Sequence, residues 1–203
     1  MDARPDFTLH DDIYEPAFVK GVFDRCSARY IGFSWLFSFG FTERWRRQCV
    51  EALPLDPGAG AEGYDLMAGT GEVWPYLLHR YPDVRRITAV DISSGMHRLA
   101  LERLHRERSH RIDFIEDDVL QSDLPPDSCD FIVSTFGLKT FNPAQHQALA
   151  ELVARTLRPG GAFSFVEASD PKGWWLRPLY LLHLKCCCRW SSGPCSGARR
   201  TSP

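Results

Sequence analysis

The chain has 203 residues, 44% of them hydrophobic and 25% charged, with a formal net charge of -2. That length suits one α/β domain around a single core, and the near-neutral charge argues against a nucleic-acid footprint. The apolar stretches 31–41 and 174–184 are each about half the ~20 residues that cross a bilayer, so neither predicts a membrane span. Met1 to Asp12 has no basic segment followed by an apolar one, which makes an intracellular, cytoplasmic location the expectation.

Seven cysteines are present. An odd number without a secretory signal points to reduced thiols. Cys26, Cys49 and Cys129 read as small core residues. Cys186, Cys187, Cys188 and Cys195 crowd the tail, where adjacent cysteines suit a zinc tetrahedron poorly, so no metal site is expected. The triplet Arg44, Arg46, Arg47 reads as a solvated helix face.

The first 60 residues are helical and aromatic in pattern, with helices expected over 17–30 and 41–53. A Pro/Gly-rich linker is expected over 54–63. Short apolar runs then alternate with helical patterns. Strands are expected at 64–68, 87–90, 112–115, 131–134 and 162–166. A helix over 72–81 tolerates Pro75 in its first turn. Ser93 or Ser94 caps the next helix. Asn142 and Pro143 open the clearest helix, with Leu149, Leu152, Val153 and Leu157 on one side and Arg155 and Arg158 at the negative end of its dipole. Pro159-Gly160-Gly161 is expected to stop it. This alternation predicts a doubly wound, mostly parallel, Rossmann-like α/β sheet.

Such sheets bind ligands at the carboxyl ends of their strands. The first strand ends in Asp65-Leu66-Met67-Ala68-Gly69-Thr70-Gly71-Glu72, where Gly69 and Gly71 permit close backbone approach. Asp91 ends the second strand, beside Ile92, where a carboxylate accepts the hydroxyls of a ribose. A dinucleotide fingerprint wants a small residue three positions after Gly71, and Trp74 stands there. Asp65 and Glu72 would also repel a pyrophosphate, whereas they suit a ligand carrying an ammonium and a sulfonium. S-adenosylmethionine is thus expected over NAD, the bland alternative being a tight βα turn with capping acids. The third strand ends in Glu116-Asp117-Asp118-Val119, where a carboxylate suits an adenine amino group and Val119 its ring, and a hydroxyl of Ser134-Thr135 at the fourth strand end would face the ligand.

The segments DLMAGTGE (65–72), AVDISSGM (89–96), FIEDDV (114–119), FGLK (136–139) and LRPGGAFSFVEAS (157–169) resemble the ubiquinone/menaquinone-biosynthesis C-methyltransferases of the class I superfamily. So do VFDRCSARY (22–30) and SFGFTERWRR (38–47) upstream. The resemblance implies cofactor contacts at Thr70, Asp91, Asp118, Val119 and Thr135. The chain departs from it at Ala68 (commonly glycine), Asp118 (commonly asparagine), Thr135 (serine) and Lys139 (arginine). Nothing after residue 167 reads as the two further strands that class I domains usually add. The tail from Ser191 is expected to be disordered and the sheet edge left exposed, the alternative being that 174–184 forms a helix covering that edge.

The expected organisation is therefore a helical segment, 1–60, on the acceptor side; a cofactor domain, 61–172; and an atypical tail, 173–203. The expected function is methyl transfer to a small molecule, a quinol or phenol, near a membrane surface if the acceptor is prenylated. The rivals are a catalytically silent binding protein and a nicotinamide-dependent oxidoreductase. Tyr30, Phe33, Trp35 and Phe37 are candidates to cover an apolar acceptor. Lys139, His97 and His146 are the side chains considered as assistants to its deprotonation, and none is assigned as the catalytic base.

Overall fold

A computed structural model describes residues 12–38, 40–54, 58, 60–107, 110–168, 172–173 and 175–191. Five parallel strands, β1 (Glu62–Leu66), β2 (Arg86–Asp91), β3 (Ile112–Glu116), β4 (Cys129–Thr135) and β5 (Leu157–Val166), form one sheet in the order β3-β2-β1-β4-β5. Chain order runs outward from β1 in one direction and then from β4 in the other. The β1/β4 boundary is therefore the switch point, where the strand ends leave a crevice.

Helices cover both faces. Alternate residues of each strand point to opposite sides, so Ile87, Ala89, Phe131 and Val133 pack with Val50, Trp74, Leu77 and Ala100 on one face. Tyr64, Leu66, Val90 and Ile132 pack with Leu149, Leu152 and Val153 on the other. The first face belongs to α2 (Phe41–Glu51), α3 (Trp74–Arg80) and α4 (Ser94–Glu107), the second to α5 (Pro143–Thr156). Helix α5 opens on the expected cap: the Asn142 side chain accepts from the Gln145 amide, and the Gln145 side chain from the Asn142 amide. Ser93 is the cap of α4, its Oγ accepting from the Met96 amide at 3.2 Å.

Three local expectations change. The helix expected over 17–30 runs on as α1 (Pro16–Phe37), and 41–53 becomes α2, ending at Glu51. Helix α5 stops at Thr156, before the Pro-Gly-Gly triplet, which lies within the longer β5. Strand pairing prevails over the turn signal, and the register shift between Cys129 and Phe131 takes up the irregularity. Arg158 is accordingly not at a helix end. It bridges β5 to Asp130 (2.7 Å) and Glu62 (2.8 Å) across three strands.

Among the described residues the sheet ends at β5, where Phe163 is 60% exposed. Helix α6 (Arg177–Ser191) docks on α1, with the His183 ring bonded to the Leu36 carbonyl at 3.1 Å. The tail beyond residue 191, the side chains of the cysteine cluster and those of Tyr30, Phe33, Trp35 and Phe37 lie outside the described residues. No described helix is long and apolar enough to cross a membrane.

Candidate functional site

A cleft of about 790 Å³, open to solvent, lies over the carboxyl ends of β1, β2 and β4. Its floor is the loop after β1. Gly69 has φ +58 and open space where a Cβ would stand, so the backbone itself faces the cavity. Asp91 lies beside it. Asp91 Oδ2 accepts from the Gly69 amide (2.7 Å) and Oδ1 from the Ser93 amide (2.8 Å). Burial raises the Asp91 carboxyl above the ordinary range, and the two amides oppose it. Ile92, Asp118, Val119 and Thr135 complete the strand-end lining. Asp118 Oδ1 accepts from the Leu120 amide at 3.0 Å, which holds the turn after β3.

Asp65, Thr70 and Gly71 lie behind the loop rather than on the cavity wall. Asp65 is 1% exposed, and its Oδ2 accepts from Trp74 Nε1 at 2.8 Å. Its burial lifts the carboxyl to about 8, while the indole bond pulls the other way and the charges of Asp91 and Glu72 push it up further. Thr70 Oγ1 donates to Glu72, and its carbonyl accepts from Arg103 Nε. Gly71 (φ +74) sits against the Trp74 ring, 2.4 Å from where its Cβ would be. The bulky residue at the fingerprint's third position is thus housed beneath the loop. Trp74 is fully buried and opens α3 directly.

Several lining residues were not singled out from sequence. Arg46 of α2 is 3% exposed, which corrects the solvated-face reading for this member of the triplet; Arg44 and Arg47 are exposed. It lies 5.3 Å over the Phe136 ring and bonds Glu43 Oε1 at 3.1 Å. The available signal was periodicity: Thr42, Arg46, Cys49 and Val50 share one buried stripe of α2. Met67 (φ +54) and Phe136 (φ +66) take left-handed backbone at the ends of β1 and β4, a strained conformation for side-chain-bearing residues that clusters at functional sites. Tyr14, Val19 and Phe23, from α1 and the turn before it, form an apolar cover.

The cover is tied down. Lys20 Nζ donates to the Ile92 carbonyl (2.8 Å) and Ser94 Oγ (2.6 Å). Asp24 Oδ1 accepts from Ser93 Oγ (2.7 Å) and the Gly95 amide (2.8 Å). Hydrogen bonds from Ser94 and His97, opposed by burial and aided by Lys20, hold the Glu116 carboxyl near 2. The three side chains weighed as assistants to deprotonation are off the cavity wall. His97 stacks on Phe114 and bonds Glu116. His146 bonds the Leu138 carbonyl, and Lys139 contacts Glu167 and the Phe136 carbonyl.

A five-stranded parallel sheet of this order, with an acid-lined crevice at its switch point, defines the class I methyltransferase fold. Solved structures agree: the PH0226 protein of Pyrococcus horikoshii is 26% identical with TM-score 0.56, over 73% of this chain and 61% of that one. The phosphoethanolamine N-methyltransferase 1 of Haemonchus contortus superposes at TM-score 0.63 with 16% identity, over 76% of this chain and 32% of that one. Within this class the chain belongs to the ubiE/COQ5 methyltransferase family, whose sequence model matches residues 10–188. It is 34% identical over 164 residues to the ubiquinone/menaquinone biosynthesis C-methyltransferase UbiE of Rubrivivax gelatinosus, covering 81% of this chain and 61% of that protein. It is 28% identical to the demethylmenaquinone methyltransferase of Porphyromonas gingivalis, covering 75% of this chain and 61% of that protein. The chain thus spans less than two thirds of the length of these relatives.

Proposed function

We propose that the chain binds S-adenosylmethionine in this cleft and transfers its methyl group to a carbon of a small aromatic acceptor, a quinol or phenol. The observation that carries the reading is the pairing of Gly69 with Asp91: a backbone loop at the cavity floor held by a half-buried carboxylate that faces the same cavity. Asp91 is assigned to the ribose hydroxyls, Asp118 with Val119 to the adenine, and Thr135 to a polar contact at the β4 end. Asp65, Thr70 and Gly71 are assigned to shaping the loop from behind.

When bound there, the cofactor supplies an electrophilic methyl carbon. This chain's residues align the two reactants and exclude water from between them. Helix α1 provides the exclusion through Val19 and Phe23, anchored by Lys20 and Asp24. The family relatives' names support a quinone-type acceptor, and the apolar cover suits one.

Calorimetric titration of the chain with S-adenosylhomocysteine and with NAD tests the cofactor. Binding of the former, lost on Asp91→Ala with the thermal transition retained, is expected. NAD binding, or unchanged affinity in Asp91→Ala, would refute the assignment. A methyl-transfer assay with quinol and phenol acceptors then separates an enzyme from a silent binding protein.

A further inference from the structure

Four carboxylates among the described residues line the cleft: Glu72, Asp91, Asp117 and Asp118. Arg46 is the one cation among the described lining residues. Its side chain is buried, and its Nε has no hydrogen-bond partner. Nη1 reaches Glu43, and Nη2 lies 3.7 Å from Glu72 Oε2, beyond hydrogen-bond range. A buried guanidinium with an unused donor is costly, so its retention at a cavity wall points to an anionic or acceptor group supplied by a ligand.

The topology says which group. In the order β3-β2-β1-β4, Asp118 follows β3, Asp91 ends β2, Glu72 follows β1 and Phe136 follows β4. Arg46 contacts Glu72 and Phe136, so it stands on the far side of β1 from the acids at β2 and β3. A nucleoside held at β3 and β2 must extend its 5′ substituent toward β1 and β4. In S-adenosylmethionine that substituent carries an α-amino acid, the one part of the molecule with a negative charge.

We infer that Arg46 receives the carboxylate of the cofactor's amino-acid head, with Glu72 beside it receiving the ammonium. The inference rests on the cofactor reading above. The loosely spaced Arg46–Glu72 pair is a template for a zwitterion: each partner meets its opposite charge on the ligand without leaving an uncompensated buried charge. The planar guanidinium matches a carboxylate through two parallel N–H donors, which a lysine does not reproduce.

The test compares two ligands on the 203-residue chain by calorimetry: S-adenosylhomocysteine, which has the amino-acid head, and 5′-methylthioadenosine, which lacks it. Arg46→Gln is expected to weaken S-adenosylhomocysteine by roughly ten- to a hundredfold while leaving 5′-methylthioadenosine unchanged. Arg46→Lys, the variant that carries the comparison if Arg46→Gln shows no cooperative thermal transition, is expected to lose several-fold for S-adenosylhomocysteine alone. Unchanged S-adenosylhomocysteine affinity, or equal losses for both ligands, would overturn the assignment of Arg46 and leave the cofactor reading standing. A wild-type chain that binds neither ligand refutes the cofactor reading itself, and this inference with it.

Discussion

Alanine placed at Gly71 and at Gly69 should separate the two glycines of the loop. Both have positive φ, +74 and +58, so alanine costs each about 1–2 kcal/mol in backbone strain. They differ in what the new methyl meets. At Gly69 there is nothing within 4 Å. At Gly71 three atoms of the Trp74 ring lie at 2.4–2.5 Å, about 1 Å inside ordinary contact. That ring cannot move aside freely, being fully buried and held by Asp65 through its indole N–H. Overpacking of this kind adds about 1–3 kcal/mol. With about 2–4 °C of melting temperature per kcal/mol for a chain this size, Gly71→Ala should lower Tm by roughly 4–20 °C and Gly69→Ala by roughly 2–8 °C. Differential scanning fluorimetry on both variants gives the comparison. S-adenosylhomocysteine titration should show the reverse emphasis, with Gly69→Ala losing affinity because its methyl enters the cleft. Equal melting temperatures for the two variants would refute the packing argument.

Two further outcomes are expected. Asp65 titrates near 8 when folded and near 3.8 when unfolded, so between those values the native state binds the extra proton and stability falls as pH rises, by about 1.4 kcal/mol per pH unit. Asp65→Asn keeps an acceptor for the Trp74 indole and removes that slope; urea midpoints at pH 5 and 7.5 that decline as steeply as in the wild type would contradict it. Asp24→Ala removes the acceptor for Ser93 Oγ and the Gly95 amide. It should cost about 1–2 kcal/mol and speed hydrogen exchange in α1 while the strand amides stay protected. Uniform exchange across α1 and the sheet would show that α1 is not an independently anchored cover.

Much of the architecture was legible in the chain because it rests on local signals. Strands β1 to β4 were placed by short apolar runs and missed only by a residue or two at their ends. Asn142 and Pro143 marked the start of α5 because a cap and a fixed φ are properties of two adjacent residues. β5 was read five residues short, since Pro159-Gly160-Gly161 carries a stop signal that the Cys129–Leu157 pairing overrides. The cleft residues Gly69 and Asp91 were legible from their positions at strand ends, and Asp118 and Thr135 from the family resemblance, which chose them among their polar neighbours. Arg46 was not, because its neighbours Arg44 and Arg47 are exposed and charge dominated the periodicity. Nor was the division between Gly69 and Gly71, which share a loop but face opposite ways.

The order of residue types alone determined a doubly wound sheet, its glycine loop and the acids at successive strand ends, since hydrophobic period, caps and turns are set within a few positions along the chain. Which of those acids look into a cavity and which are sealed behind it depended on assembly. Trp74 claims Asp65 and the space beside Gly71, and α2 carries Arg46 onto the wall from outside the sheet. These contacts join residues brought together only when helices pack on strands, and the direction of a side chain in that packing is not written in its neighbours.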